Sequence, residues 1–172
     1  ILGEFDKLFA AASAARAKAH APYSNYAVGA ALLADDGEIY AGCNIENAAF
    51  PEGWCAETTA IGHLVMGGAK RIVKAVVVAE RIDRDRVAGG RFCTPCGGCR
   101  QRLSEFAAGP EIDIWAADPQ GASQHFTMAE LNLISHAKGE DLDNTWKTNM
   151  LLKSDYIQQP TGQGMAGATV IN

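Results

Sequence analysis

The sequence predicts an α/β protein, a three-layer α/β/α sandwich around a mixed five-stranded sheet. Helix and strand patterns alternate over residues 1–137 in the order helix, hairpin, helix, strand, helix, strands, helix. The central strand–helix–strand segment favours a parallel pair of strands because a crossover joins them. The hairpin near the start favours antiparallel pairing. A chain of 172 residues is long enough for one sizeable core, so we expect one domain over residues 1–137.

The first third of this domain is predicted to contain a helix and a β-hairpin. The helix covers residues 4–19, and Pro22 ends it because a proline disfavours helical backbone in the residue before it. Strands follow over residues 28–33 and 38–45. Asp35-Asp36-Gly37 between them predicts a hairpin turn, whose glycine supplies a positive φ. The helix prediction depends on apolar residues at helical spacing: Phe5, Leu8, Phe9, Ala12 and Ala15.

The remaining helices have recognisable ends. Gly67-Gly68 is predicted to end the second helix. Thr94 is predicted to cap the third, with Pro95 at its first position, and Thr127 and Glu130 have the spacing of a capping box for a short last helix. The predicted helices and strands before it cover residues 55–66 (helix), 72–79 (buried strand), 95–107 (helix), 111–116 and 124–126 (strands).

Net charge and hydropathy indicate which kinds of molecule the protein binds. Fifteen basic and twenty acidic side chains give a net charge of −5, which argues against nucleic acid as a partner because phosphate contacts need a basic track. No run of eighteen apolar residues occurs, so we expect no membrane span. A small-molecule substrate agrees better with this composition than a nucleic acid does. Residues 138–172 are polar and weakly periodic, and we expect them to form a C-terminal extension of unknown role.

The cysteines indicate a metal site. There are five, an odd number, and Cys93, Cys96 and Cys99 crowd into seven positions. This spacing favours metal binding in a reducing cytoplasm over a disulfide framework, and no secretion signal opens the chain. Cys96 and Cys99 are three residues apart, so on a helix they lie on one face. Helix N-termini also favour the thiolate form that zinc binds.

Three thiols and one carboxylate carry the predicted chemistry. Cys55, Cys96 and Cys99 would hold Zn²⁺ and leave its fourth tetrahedral position open, as catalytic zinc sites do. Glu57 would lie beside the metal without ligating it. A metal ligand two residues before a glutamate, followed by P-C-x-x-C, is the known zinc deaminase arrangement. The expected reaction is attack of a zinc-activated hydroxide on C4 of a free pyrimidine nucleoside, with Glu57 transferring protons to N3 and the departing amine.

A structural zinc module is the alternative, and in it Cys43 or Cys93 would be the fourth ligand. The proline before the cysteine pair and the glutamate after the distant cysteine favour the catalytic interpretation. The four histidines have no ligand spacing, and we expect them to be structural or surface residues: His20, His63, His125 and His136.

Further segments accompany the zinc motif in order along residues 5–135. They are Ala21-Pro22-Tyr23-Ser24-Asn25-Tyr26 with Val28-Gly29-Ala30-Ala31-Leu32, Gly42-Cys43-Asn44-Ile45-Glu46-Asn47-Ala48, Cys55-Ala56-Glu57 and Pro95-Cys96-Gly97-Gly98-Cys99-Arg100-Gln101. Together they resemble the cytidine deaminases, specifically the short, homotetrameric, three-cysteine kind. The resemblance implies deamination of cytidine and deoxycytidine in pyrimidine salvage, and a homotetramer.

The resemblance also implies roles for individual residues. Asn44 and Glu46 would hold ribose hydroxyls, Tyr26 would pack on the nucleoside, and the backbone N–H of Ala56 would hold the base carbonyl. From the residues alone, Asn44 and Glu46 could instead simply end a strand, since residues two apart on a strand face the same way. Tyr26 could equally belong to the core.

Two features depart from the family pattern. Thr58 stands where the family usually has an arginine that offsets the charge of zinc tris-thiolate, and Arg100 is a candidate for the missing charge. Blasticidin-type deaminases also lack that arginine and stay open as an alternative. Residues 131–136 replace the usual C-terminal segment, so the resemblance assigns no lid residue. Trp146 or Tyr156 could serve as one.

Overall fold

The structure is a computed structural model that describes residues 3–81 and 92–137. Backbone packing divides the chain into residues 1–132 and 133–172. The expected extension over residues 138–172, with Trp146 and Tyr156, lies outside the described residues. In chain order the described elements are α1 (Glu4–Arg16), β1 (Tyr26–Ala34), β2 (Ile39–Cys43), a 3-10 turn (Phe50–Glu52), α2 (Ala56–Gly67), β3 (Ile72–Arg81), α3 (Gly97–Phe106), β4 (Asp113–Ala117), β5 (Ser123–Thr127) and α4 (Met128–Ala137). Among the helices in residues 3–81 and 92–137, none has the length and hydropathy of a membrane span.

The five described strands form one mixed sheet in the order β2-β1-β3-β4-β5. β3 and β4 are parallel, and α3 lies between them in the chain. The other neighbouring pairs are antiparallel. The predicted crossover and hairpin are therefore confirmed, and Gly37 in the hairpin turn has a φ of 84°.

Helices cover both faces of the sheet. A Cβ at Gly29 in β1 would lie 2.0 Å from the carbonyl oxygen of Ala12, so Gly29 faces α1. Its neighbour Ala30 faces the opposite side and pairs with Gly42 of β2. A Cβ at Gly42 would lie 2.4 Å from the backbone nitrogen of Ala60 in α2. α1 and α2 thus lie on opposite faces, which confirms the three-layer sandwich.

Both helices that carry the zinc motif begin at a cysteine. Cys55 is the N-cap of α2 and Cys96 is the N-cap of α3, each with extended backbone. The expectation that Thr94 caps α3 is wrong, because the chain stays extended through Cys96. The hydroxyl of Thr94 instead accepts a hydrogen bond from Arg100 at 3.2 Å.

Most other helix ends agree with the predictions. Gly68 ends α2 in the left-handed region, with a φ of 94°. The capping box of α4 is confirmed, because the Thr127 N–H donates to Glu130 Oε2 at 2.7 Å and the Glu130 N–H donates to Thr127 Oγ1 at 3.1 Å. α1 ends at Arg16, three residues before the predicted end.

Candidate metal centre and active site

The N-termini of α2 and α3 bring three sulfur atoms together. Each of the Sγ atoms of Cys55, Cys96 and Cys99 lies within 4.8 Å of the other two, and the Cys55 and Cys96 sulfurs are 4.0 Å apart. Cys99 is buried and the other two are half-buried. All five cysteines are free thiols, so the disulfide framework is excluded for this structure.

The size and chemistry of this cluster fit Zn²⁺. Tetrahedral zinc with bonds of about 2.3 Å to sulfur places its ligands about 3.8 Å apart, close to the separation of Cys55 and Cys96. No histidine, carboxylate or further cysteine among the described residues joins the cluster. The thiol of Cys43 instead faces the Lys18 carbonyl oxygen at 3.6 Å. Among the described residues the donor set is therefore three sulfurs, which would leave a fourth tetrahedral position of a bound Zn²⁺ open, as in catalytic zinc sites.

The three thiols of the cluster can all be ionised together only if a cation offsets the repulsion between their negative charges. Hydrogen bonds from Cys55 and Cys99 lower the pKa of Cys96 to about 2, with smaller contributions from the N–H groups of Cys99 and Gly98. The hydrogen bond with Cys96 raises the pKa of Cys55 to about 12. Hydrogen bonds with Cys55 and Cys96 raise the pKa of Cys99. Each thiol thus affects the ionisation of the other two, and a bound Zn²⁺ would supply the charge that all three need.

Glu57 lies in the first turn of α2 with its side chain buried, at 4 % exposure. Burial raises the pKa of its carboxyl above the usual range, although its own N–H, the Cys99 thiol and the charge of Arg102 partly offset this. A carboxyl whose pKa is closer to neutrality is suited to accept and return a proton. Ala56 before it is the first helical residue and is fully buried. Its N–H therefore has no acceptor within the helix.

Asn44 and Glu46 hold backbone segments next to the site. The Asn44 side chain accepts a hydrogen bond from the Val28 N–H at 2.8 Å and donates to the Tyr26 carbonyl oxygen at 2.8 Å. Glu46 Oε2 accepts from the N–H groups of Tyr23 and Ser24 at 2.9 and 3.2 Å. Partial burial alone would raise the pKa of Glu46, but hydrogen bonds from Ser24 and Tyr23 hold it below its usual value.

Backbone contacts connect this segment to the zinc ligands. Ile45 and Trp54 exchange two hydrogen bonds of 2.9 and 2.8 Å, so the residue before Cys55 is fixed to the residue after Asn44. Tyr26 at the start of β1 is half-buried. Burial raises the pKa of its hydroxyl above the usual range, and the Cys93 thiol is the next cause. No local pattern in the sequence predicts the Ile45–Trp54 pairing.

Arg100 stabilises the loop that leads to Cys96. It is buried, at 9 % exposure, and donates to the carbonyl oxygens of Pro95 and Leu131 at 2.7 and 2.8 Å as well as to Thr94. No described thiol is among its hydrogen-bond partners, and its charge reaches Cys96 over a longer distance. Arg100 is the candidate to replace the family's arginine, but its contacts show that it mainly stabilises the backbone around the start of α3. Thr58 is half-buried, and its N–H donates to the Cys55 carbonyl oxygen at 3.1 Å.

Comparisons with known proteins agree on one family. The family model for the cytidine and deoxycytidylate deaminase zinc-binding region matches residues 4–112. A cytidine deaminase of Sporosarcina psychrophila is 39% identical over 128 residues, which are 74% of this chain and 88% of that protein. The crystal structure of cytidine deaminase from Burkholderia pseudomallei has a TM-score of 0.65 and 36% identity, covering 76% of this chain and 96% of that one. The structure of cytidine deaminase from Mycobacterium leprae has a TM-score of 0.60 and 39% identity, with coverages of 76% and 98%.

Proposed function

This chain belongs to the cytidine and deoxycytidylate deaminase family, and we propose that it catalyses the zinc-dependent hydrolysis of cytidine to uridine and ammonia. Deoxycytidine is the second expected substrate, with deoxyuridine as the product. The observation that carries this proposal is the cluster of three sulfurs at two helix N-termini, with the buried carboxyl of Glu57 in the first turn of one of them. The physiological role is salvage of pyrimidines in the cytoplasm, where reducing conditions keep cysteines as thiols.

Zn²⁺ held by Cys55, Cys96 and Cys99 would supply the Lewis acidity that makes a water molecule nucleophilic near neutral pH. Glu57 accepts one proton from the attacking water and delivers it to ring N3, then accepts the second proton from the oxygen now bonded to C4 and delivers it to the departing amine. The bond from C4 to oxygen forms and the bond from C4 to nitrogen breaks, so one water is consumed and one ammonia leaves. The N–H of Ala56 donates to the base carbonyl.

The nucleoside is positioned by the residues between β1 and α2. Asn44 and Glu46 hold ribose hydroxyls, and Tyr26 packs on the nucleoside. The amide of Asn44 makes one hydrogen bond through each of its polar atoms to the backbone, and each atom can make one more. The backbone contacts therefore orient the side chain without using all of its capacity for a hydroxyl group.

Replacement of the proton carrier tests the proposal. We expect Glu57→Gln to lower the rate of cytidine turnover on the order of 10³-fold while zinc stays bound, because the sulfur ligands are unchanged. The loss of cytosine absorbance gives the rate, and metal analysis of the same sample gives the zinc content. Glu111→Gln, on an exposed residue, is the matched control and should be fully active. A Glu57→Gln protein that matches the unmodified protein in every property would instead support a structural zinc module.

Thr58 favours a second candidate, a deaminase of another cytosine nucleoside such as the blasticidin type. Its side chain is half-buried directly after Glu57, in the position where the family usually carries a charge. A panel of cytidine, deoxycytidine and an aminoglycosyl cytosine nucleoside separates the two candidates. Turnover of the third compound without turnover of the first two would favour the second candidate.

We also propose that the protein assembles as a homotetramer. Three aromatic side chains near the site are exposed to solvent: Tyr23 at 55 %, Phe50 at 77 % and Trp54 at 57 %. The rings of Tyr23 and Phe50 contact each other edge to face, with centroids 6.3 Å apart. An exposed cluster of large apolar groups is typical of a surface that another protein covers.

A further inference from the structure

The guanidinium of Arg102 lies against the first turn of α3. A Cβ built on Gly98 would lie 3.0 Å from Arg102 Nη1 and 4.0 Å from the Sγ of Cys96. The guanidinium and this zinc-motif sulfur therefore border the same small space, which the absent side chain of Gly98 leaves open. Residues four apart share a helix face, and helical side chains lean toward the N-terminus. An arginine at position 102 is thus directed back toward Cys96.

The zinc site needs a positive charge, and the position where the family usually has an arginine does not supply one in this chain. Three thiolates and one Zn²⁺ leave a net negative charge, and the buried carboxyl of Glu57 adds to it when ionised. Thr58 is neutral, and the guanidinium of Arg100 donates to two carbonyl oxygens and a hydroxyl. Arg102 forms no ion pair with any carboxylate in residues 3–81 and 92–137, and its charge reaches the site, where it lowers the pKa of the buried Glu57 carboxyl.

We propose that Arg102 is the residue that offsets the negative charge of the zinc tris-thiolate in this chain, because the neutral side chain of Thr58 cannot do so. Arg102 is a positioning residue in this account, since it acts on the thiolates through its charge and does not contact substrate. The proposal rests on the zinc site of the proposed function.

Solvent limits the size of the effect. Arg102 is exposed, and exposed charge pairs contribute little because water and salt screen them. We therefore expect the charge to change zinc affinity by roughly 2- to 5-fold at low ionic strength. The effect should nearly disappear at about 1 M salt, where the screening length is about 3 Å.

Zinc affinity of the purified full chain, measured by chelator competition at low and high salt, tests the proposal. Arg102→Gln should weaken zinc binding at low salt, and Arg102→Lys should retain most of the affinity. Lys70→Gln, which removes a charge from an exposed residue after α2, is the matched control and should leave the affinity unchanged. Addition of Thr58→Arg to the Arg102→Gln variant should restore tight binding.

The outcomes separate this inference from the proposed function. If Arg102→Gln and Lys70→Gln bind zinc equally well at low salt, the role of Arg102 is overturned while the zinc site stands. A loss of affinity that is the same at both salt concentrations would also overturn it, because a structural defect does not depend on screening. If the unmodified protein binds no zinc, both proposals fail.

Discussion

Arg100 and Arg102 lie two positions apart on α3 but have different surroundings. Arg100 is buried and its donors are used by the carbonyl oxygens of Pro95 and Leu131 and by the hydroxyl of Thr94. Arg102 is exposed, with its guanidinium next to Gly98. Because α-helical residues two apart point in different directions, the first arginine stabilises the fold and the second is free to act on the metal site.

Removal of the buried arginine should therefore lower stability. We expect Arg100→Met to reduce the free energy of unfolding by about 2–4 kcal/mol, because it leaves buried carbonyl oxygens without a donor. Denaturant unfolding of the metal-free protein measures this change. Arg71→Met is the control, since Arg71 is exposed and donates to a single carbonyl oxygen, that of Glu105, at 3.1 Å. Equal stabilities for the two variants would contradict the stabilising role assigned to Arg100.

At the level of elements, glycines decide how closely the helices approach the sheet. Gly29 of β1 meets the backbone of α1, and Gly42 of β2 meets the backbone of α2. Any side chain at either position would separate a helix from the sheet. Gly62 in α2 differs, because a Cβ there would have no atom within 4 Å. The first two glycines are required by packing, and the third is not.

Two alanine substitutions measure this difference. Gly29→Ala should destabilise the protein by about 3 kcal/mol or more, or prevent folding, because the new methyl group would overlap the backbone of α1. Gly62→Ala should stabilise it by roughly 1 kcal/mol, because alanine is the better helix former. Thermal unfolding followed by circular dichroism compares them. A stable Gly29→Ala protein would mean that α1 does not pack on β1 as described.

At the level of the whole molecule, the exposed aromatic residues lie where the proposed assembly would affect the active site. Tyr23, Phe50 and Trp54 belong to the segments on either side of Asn44 and Glu46. A neighbouring subunit that covered them would therefore lie next to the residues proposed to bind the nucleoside. Loss of the assembly should then reduce substrate binding as well as change the mass in solution.

Light scattering tests the assembly directly. We expect a particle of about four times the chain mass of 18.2 kDa, and Phe50→Asp should shift it to smaller species because a charge cannot be buried in an apolar interface without cost. Phe50→Tyr, which keeps the ring, should retain the large particle. A single monomeric species for the unmodified protein would refute the tetramer.

The sequence by itself determined the elements and the chemistry of the site. Helical spacing, the turn at Gly37, the end of α2 at Gly68 and the capping box at Thr127 are local patterns, encoded within a few residues, and the structure confirms them. Each half of the zinc motif, Cys55-Ala56-Glu57 and Pro95-Cys96-Gly97-Gly98-Cys99, is local in the same sense. Three cysteines, a glutamate and their spacing suffice because only a few side-chain types bind zinc or carry protons at neutral pH.

The tertiary structure decided which neighbouring residues contact and orient the side chains of the site. It placed the start of α3 at Cys96, engaged Asn44 and Glu46 with the backbone of the preceding segment, and gave Arg100 and Arg102 different surroundings. The pairs Asn44 with Val28, Glu46 with Tyr23 and Arg100 with Leu131 are 16, 23 and 31 positions apart in the chain. Such contacts are set by how the helices pack on the sheet, and no pattern of neighbouring residues encodes that packing.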